Sequence, residues 1–311
     1  MKTLKELHQE YLDHTRCRNF SHHTQHALRI NVSRFIRWLD EMHQVESPDR
    51  LCVKHLYAWL QHLFGHRTRK GLPLRPSSVN KNIENVRQFL EHLITQAYVQ
   101  RGFLDALPLV KEPYLLPTSV LTHAQVKRLI TSIPTDNPCG YRDRAMVELL
   151  YSTGIRINEM LTLKISDVNF ENATAIVNGK GNKQRVVPIG RTALRYLRTY
   201  LVAVRPYVCY DRTNPILFLG RNDKAVNYQA FLKMIHAYTK AAGLDINVTP
   251  HTFRRSCTTE LIRGGANMYH VKELLGHENL DTLRHYVKLT ITDLKKTHEK
   301  CHPRERDEKN I

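Results

Sequence analysis

Residues 146–161 read MVELLYSTGIRINEML. Met146, Leu149 and Leu150 fall on one helical face, and the pattern stops at Gly154. Ile157, Met160 and Leu161 begin a second apolar stripe, so Arg156 stands at a helix start with Glu159 one turn on. Further along, residues 173–178, ATAIVN, alternate like a strand, and residues 184–188, QRVVP, form a second short strand pattern. Between them Gly179-Lys180-Gly181-Asn182-Lys183 is a hairpin turn sequence. Helical spacing then resumes at Leu194, Leu197 and Leu201 and again at Phe231, Ile235 and Tyr238, followed by short helices. The second half therefore reads as helices around a small β-hairpin.

Working outward, the first hundred residues read as helices only. Ser21 is a helix N-cap, and Leu28, Val32, Phe35, Ile36 and Leu39 follow on one face. Leu56, Leu60 and Leu63 mark another helix, and Val79, Ile83, Val86, Leu90 and Leu93 a third. Such stripes predict the core of a small bundle. Lys81 and Arg87 fall off the last stripe and are expected to face outward, and with a basic loop holding Arg67, Arg69, Lys70 and Arg75 they are the expected phosphate-gripping contacts to nucleic acid. Residues 105–119 carry Pro108, Pro113 and Pro117 without periodicity and read as an extended linker. The expected division is 1–105, a linker at 106–119, a second domain at 120–295 and a flexible charged tail at 296–311.

The chain has 311 residues, 41% hydrophobic and 24% charged, which is enough for two domains with real cores. No run approaches the ~18 apolar residues of a membrane span, and the N-terminal stretch lacks the apolar segment of a secretory signal. A cytoplasmic protein without a membrane partner is expected. Forty-seven Lys and Arg against 29 Asp and Glu give a net charge of +18, which favours a polyanion, nucleic acid before a small anionic substrate. Up to residue 108 there are 16 basic and 10 acidic side chains, and beyond it 31 and 19, so both halves are basic. The six cysteines show no CxxC spacing and read as reduced thiols. His298, Cys301 and His302 cluster but lack a second ligand pair, so no metal site is expected.

Several chemistries lack their signatures. No GxxxxGK[ST] loop supports NTP hydrolysis, no paired acidic motif suggests a two-metal nuclease, and no GxSxG marks a serine hydrolase. What remains is a spaced set of cations, imidazoles and one tyrosine. Thr249-Pro250-His251-Thr252-Phe253-Arg254-Arg255 opens a helix with His251 and Arg254 on one face. Leu274-Leu275-Gly276-His277 ends another, and Tyr286 follows nine residues later.

Taken in this order, residues 151–159, 179–183, 251–254, 274–277 and Tyr286 resemble the tyrosine recombinase (phage integrase) family, and its simple Xer-type members in particular. The resemblance spans about 120–295, and the helical first domain looks like the family's core-binding, SAM-like DNA-binding domain. It implies a mainly α protein with a small β-sheet and a mixed α/β catalytic domain. It also implies a catalytic set of Arg156, Lys180, His251, Arg254, His277 and the nucleophile Tyr286, with Glu159 supporting them.

The residue types suit attack of a tyrosine oxygen on a DNA phosphodiester. Two guanidinium forks would hold the non-bridging oxygens of a five-coordinate, anionic transition state. A tyrosine with pKa near 10 needs a base, for which His251 is the candidate; Lys180 is the candidate acid for the leaving 5′ oxygen, and His277 would bond the phosphate. The bond energy stays in a 3′-phosphotyrosine, so no cofactor is expected. The resemblance further implies double-stranded DNA with a specific core site, a homotetramer on two sites, a Holliday junction and, in some systems, a second recombinase or accessory factor. A helix at 291–300 would pack on a neighbouring protomer. Its biological settings are integration or transposition of a mobile element and resolution of dimers at the nucleoid.

Two places depart from the Xer pattern: Arg255 stands where many members have His, and Cys257-Thr258-Thr259-Glu260 replaces a Phe-Ala-Thr-His run. Residues 268–288 also resemble a helix-turn-helix, which would make the chain a regulator. A silent architectural protein bridging two DNA sites is the other alternative. Both sit poorly with the complete six-residue set.

Overall fold

The computed structural model describes residues 2–68, 70–113, 120–179 and 183–276. Contacts divide the chain into two compact units, Met1–Leu115 and Leu116–Ile311.

The first unit is a helical bundle of α1 (Leu4–Cys17), α2 (His22–His43), α3 (Val53–Gly65) and α4 (Pro76–Thr95). Local chemistry sets the starts. Thr3 and Glu6 form a reciprocal capping box on α1, and the Ser21 hydroxyl accepts from the Thr24 amide of α2. The stripe at Leu28, Val32, Phe35, Ile36 and Leu39 is buried against that of Val79, Ile83, Val86, Leu90 and Leu93. Phe35, Trp59 and Phe89 fill the centre and are fully buried. Each contributes on the order of 1.5–3 kcal/mol by leaving water.

Two expectations are corrected here. Arg87 does not face outward: its Nη1 donates to the carbonyls of Leu104 (2.7 Å) and Leu107 (2.9 Å), so it pins the segment after α4. Arg67 is exposed, as expected, and donates to the carbonyls of Phe64 and Gly65 at the end of α3. The same strapping shortens the linker expected from residue 106. Ala106 and Leu107 lie in the first core, and the Asn80 side chain pairs with both backbone groups of Val110 and with Glu112. Of the other basic positions, Lys81 pairs with Glu84, Lys70 and Arg75 are exposed, and Arg69 is outside the described residues.

The second unit is built on α6 (Pro138–Thr153), capped by Asn137 and buried along most of its length. Around it lie α5 (His123–Thr131), α7 (Ile157–Leu161) and a three-stranded antiparallel sheet of β1 (Val168–Asn169), β2 (Thr174–Asn178) and β3 (Gln184–Pro188) in the order β1-β2-β3. The ladder pairs Ala175 with Val187 and Val177 with Arg185. Ala175, Val177 and Val187 turn into the core, while Ile176 and Val186 face out. Next come α8 (Arg191–Thr199), a π-turn at Tyr200–Val204, α9 (Arg205–Val208) and α10 (Tyr228–Ala241). Tyr200 is fully buried and stacks on Phe218 with centroids 5.4 Å apart. The described part closes with α11 (Pro250–Arg263), which packs on α6, and α12 (Met268–Leu275). The fold is mainly α with a small sheet. β1, two residues long, has no alternation to betray it in the sequence.

Candidate active site

Gly154 ends α6 with φ +61°, a left-handed conformation that a side chain would strain. Space requires glycine there as well. A Cβ at this position would stand 2.9 Å from Leu275 Cδ2 and 3.3 Å from Cys257 Sγ. The chain thus turns sharply beneath α12 and α11 and delivers Arg156 to the start of α7. Cys257, one of the departures from the Xer pattern, is a buried spacer in this contact; burial pushes its thiol up to about 11 and keeps it protonated.

Arg156 is the N-cap residue of α7. Its backbone N–H donates to Glu159 Oε2 (2.8 Å) and its Nη1 to Glu159 Oε1 (2.9 Å). Its Nη2 donates to the carbonyl of Gly276 (3.0 Å). Glu159 is buried and takes a second guanidinium, because Arg185 Nη1 and Nη2 lie 2.9 and 2.8 Å from its two oxygens. Burial would raise the Glu159 carboxyl; the hydrogen bonds from Arg185 and Arg156 outweigh it and hold the group below the ordinary carboxylate range. Glu159 therefore stays ionised at neutral pH between two cations. Removing one side of the buried Arg185–Glu159 pair costs about 3–5 kcal/mol, and Arg156 bonds the carboxylate that this pair holds in place.

The second cation comes from α11. Thr249 caps this helix through Thr252, Pro250 occupies its first turn, His251 follows, and Arg254 lies one turn further. Arg254 is buried, and its fork donates to two backbone carbonyls, Gly154 at 2.7 Å and Leu275 at 2.6 Å. Arg254 and Arg156 thus hold successive carbonyls, Leu275 and Gly276, at the end of α12. His251 sits at the surface within the field of the same charges. Partial burial, then Arg254, Arg255 and Arg156, push its imidazole below the usual histidine pKa, so it is neutral at neutral pH.

Lys180, His277 and Tyr286 lie outside the described residues, as do the segment 291–300, the tail 296–311 and the His298, Cys301 and His302 cluster. The residues next to two of them are described. The Gly179 N–H donates to the Lys183 carbonyl (2.8 Å), and a Cβ on Gly179 would stand 3.8 Å from Glu159 Oε1. Gly276, at φ +64°, lies against the guanidinium of Arg185. The roots of the hairpin turn and of the turn after α12 therefore meet at the Arg156–Glu159–Arg185 chain. Arg185 is the residue that sequence reasoning missed. A charged side chain sharing the inward face of β3 with Val187 was the available signal. Among the described residues, no group of His, Cys, Asp and Glu is arranged to hold a metal ion.

A buried guanidinium, Arg254, and a partly exposed one, Arg156, converging on the Leu275 and Gly276 carbonyls with a neutral imidazole nearby form a site for an anionic transition state. The comparisons agree with this class. The model of the phage integrase family matches residues 119–292, and the chain belongs to that family. It is a tyrosine site-specific recombinase. Its relatives include tyrosine recombinase XerD of Listeria innocua serovar 6a, 31% identical over 288 residues and covering 92% of this chain and 95% of the relative. Tyrosine recombinase XerD of Pasteurella multocida is 32% identical over 289 residues, covering 92% and 94%. Similar folds include the Tn1549 transposon integrase in complex with transposon right end DNA (20% identity, TM-score 0.72, covering 96% of this chain and 99% of that one). The XerH recombinase bound to its difH substrate is another (21%, TM-score 0.70, covering 95% and 84%).

Proposed function

We propose that this recombinase cuts DNA at a specific core site by attack of Tyr286 on a phosphodiester, forming a 3′-phosphotyrosine and releasing a 5′ hydroxyl. Arg156 and Arg254 hold the non-bridging oxygens, His251 takes the tyrosine proton, Lys180 protonates the leaving oxygen and His277 bonds the phosphate. Reversal on a partner strand rejoins the backbone and passes through a Holliday junction, with a homotetramer on two sites. The observation that carries this reading is the convergence of Arg156 and Arg254 on the Leu275 and Gly276 carbonyls, with His251 beside them. The test is formation of a covalent protein–DNA adduct on a nicked core-site duplex, with chelator present and ATP absent. Failure on DNA that the protein binds specifically would refute it. The setting we propose is integration or excision of a mobile element, or Xer-type dimer resolution, with or without a second recombinase or accessory factor.

The role given to His251 has a pH signature. Its imidazole must be neutral to accept a proton, and its pKa is lowered in the free protein. Cleavage at subsaturating DNA is expected to hold down through the ordinary histidine range and to fall only below it. His251→Gln should remove that acid limb along with most of the rate. A limb unchanged in the variant would assign the titration to another group.

DNA contacts in the first unit are best assigned to α2. From His22 to Leu39 it carries no acidic residue, and exposed His22, His26, Arg29 and Arg37 recur at helical spacing with Arg34 alongside. An α-helix fits the major groove, and unopposed cations on it would neutralise flanking phosphates. Arg37→Gln is expected to reduce the log–log salt dependence of binding by about one. Arg87→Gln should leave that slope unchanged and lower the melting temperature, because Arg87 serves two internal carbonyls. The reverse outcome would return the contact to α4 and its loop.

A further inference from the structure

Arg185 occupies the centre of the site without being exposed enough to meet DNA itself; its side chain is 14% exposed. It stands on β3 opposite Val177, and its guanidinium reaches three other segments. Two parallel bonds go to the Glu159 carboxylate on α7, and Nε donates to the Leu274 carbonyl at the end of α12 (3.0 Å). Its face lies on Gly276, where a Cβ would come within 3.0–3.1 Å of Nη1, Cζ and Nε. Its Nη1 also stands 3.4 Å from the place a Cβ would take on Gly179, at the root of the hairpin turn.

Arg156 is restrained by two partners, Glu159 and the Gly276 carbonyl. Arg185 holds both. It bonds the carboxylate that holds Arg156, and it packs on the glycine whose carbonyl Arg156 uses. The planar fork is needed for this, since an ammonium cannot make two parallel bonds to a carboxylate and a third to a carbonyl in the same plane.

We propose that Arg185 is a positioning residue for the phosphate clamp: it ties the β2–β3 hairpin to the Arg156–Glu159 pair and to the turn after α12, so that these move as one unit. The proposal rests on the reading of Arg156 as a phosphate ligand.

The test uses the full chain and a nicked core-site duplex. Single-turnover adduct formation at saturating DNA is measured beside DNA affinity at the same salt. Arg185→Lys and Arg185→Met are expected to cleave about ten- to a hundredfold more slowly, as small misplacements of a catalytic group do. Affinity should stay within about twofold of the parent, the scatter allowed for independent sites. Glu159→Gln/Arg185→Met removes the buried pair whole and should fold even where Arg185→Met does not. Its rate should match the slower single variant within about threefold, because both residues act through Arg156. Parental rates in Arg185→Lys and in the double variant would overturn the proposal. So would losses that multiply, or a loss confined to affinity, which would make Arg185 a DNA contact. A parent that forms no Tyr286-dependent adduct would be a different failure, of the catalytic reading on which the proposal rests.

Discussion

Replacing Arg254 with lysine is expected to slow single-turnover cleavage by about 10²–10³-fold at saturating DNA, the usual loss when one fixed donor to a developing oxyanion is removed. The charge survives this change, so the loss would measure geometry. Arg254 reaches the Gly154 and Leu275 carbonyls with its two terminal nitrogens, at 2.7 and 2.6 Å. A lysine offers a single nitrogen on a flexible stem and cannot span them. Arg254→Ala should be worse in a second respect. It leaves two buried carbonyls without that partner, each at a cost of about 1–3 kcal/mol, and thermal melting should show it. The pair of variants separates the roles: lysine reports on catalysis with the smaller structural penalty, and alanine on both. Cleavage by Arg254→Lys within about threefold of the parent would mean that charge alone suffices and that the fork is structural.

The sequence carried this site because its punctuation is chemical. Gly154 and Gly276 are required where the chain turns left-handed against packed side chains, and in the sequence Gly179 and Gly181 on either side of Lys180 read as a hairpin turn. The strands around that turn were legible from alternation, and the α2 and α4 stripes from helical period. Exposed and inward-turned cations, in contrast, look alike in one dimension. Arg87 falls off the apolar stripe of α4 yet bends back onto two carbonyls. Arg185 hides in the opposite way, as a charge in a strand whose inward face is otherwise apolar. Each case turns on a long side chain whose head finds a partner far away in sequence, and periodicity does not encode such partners. The stripe of Leu28, Val32 and Phe35 was legible from spacing, and its burial leaves Arg29 and Arg37 exposed on the other side of α2.

In the proposed reaction Tyr286 supplies the oxygen that replaces the 5′ oxygen at phosphorus, and phenylalanine has the same ring without it. Tyr286→Phe should bind a core-site duplex with parental affinity and salt dependence while forming no covalent adduct. The measurement is a denaturing gel of a nicked suicide duplex, drawn from DNA flanking the gene and incubated with parent and variant in the presence of chelator. A protein–DNA band in the parent that is absent from Tyr286→Phe is the predicted result. An adduct of equal intensity in the variant would contradict the account by placing the nucleophile elsewhere.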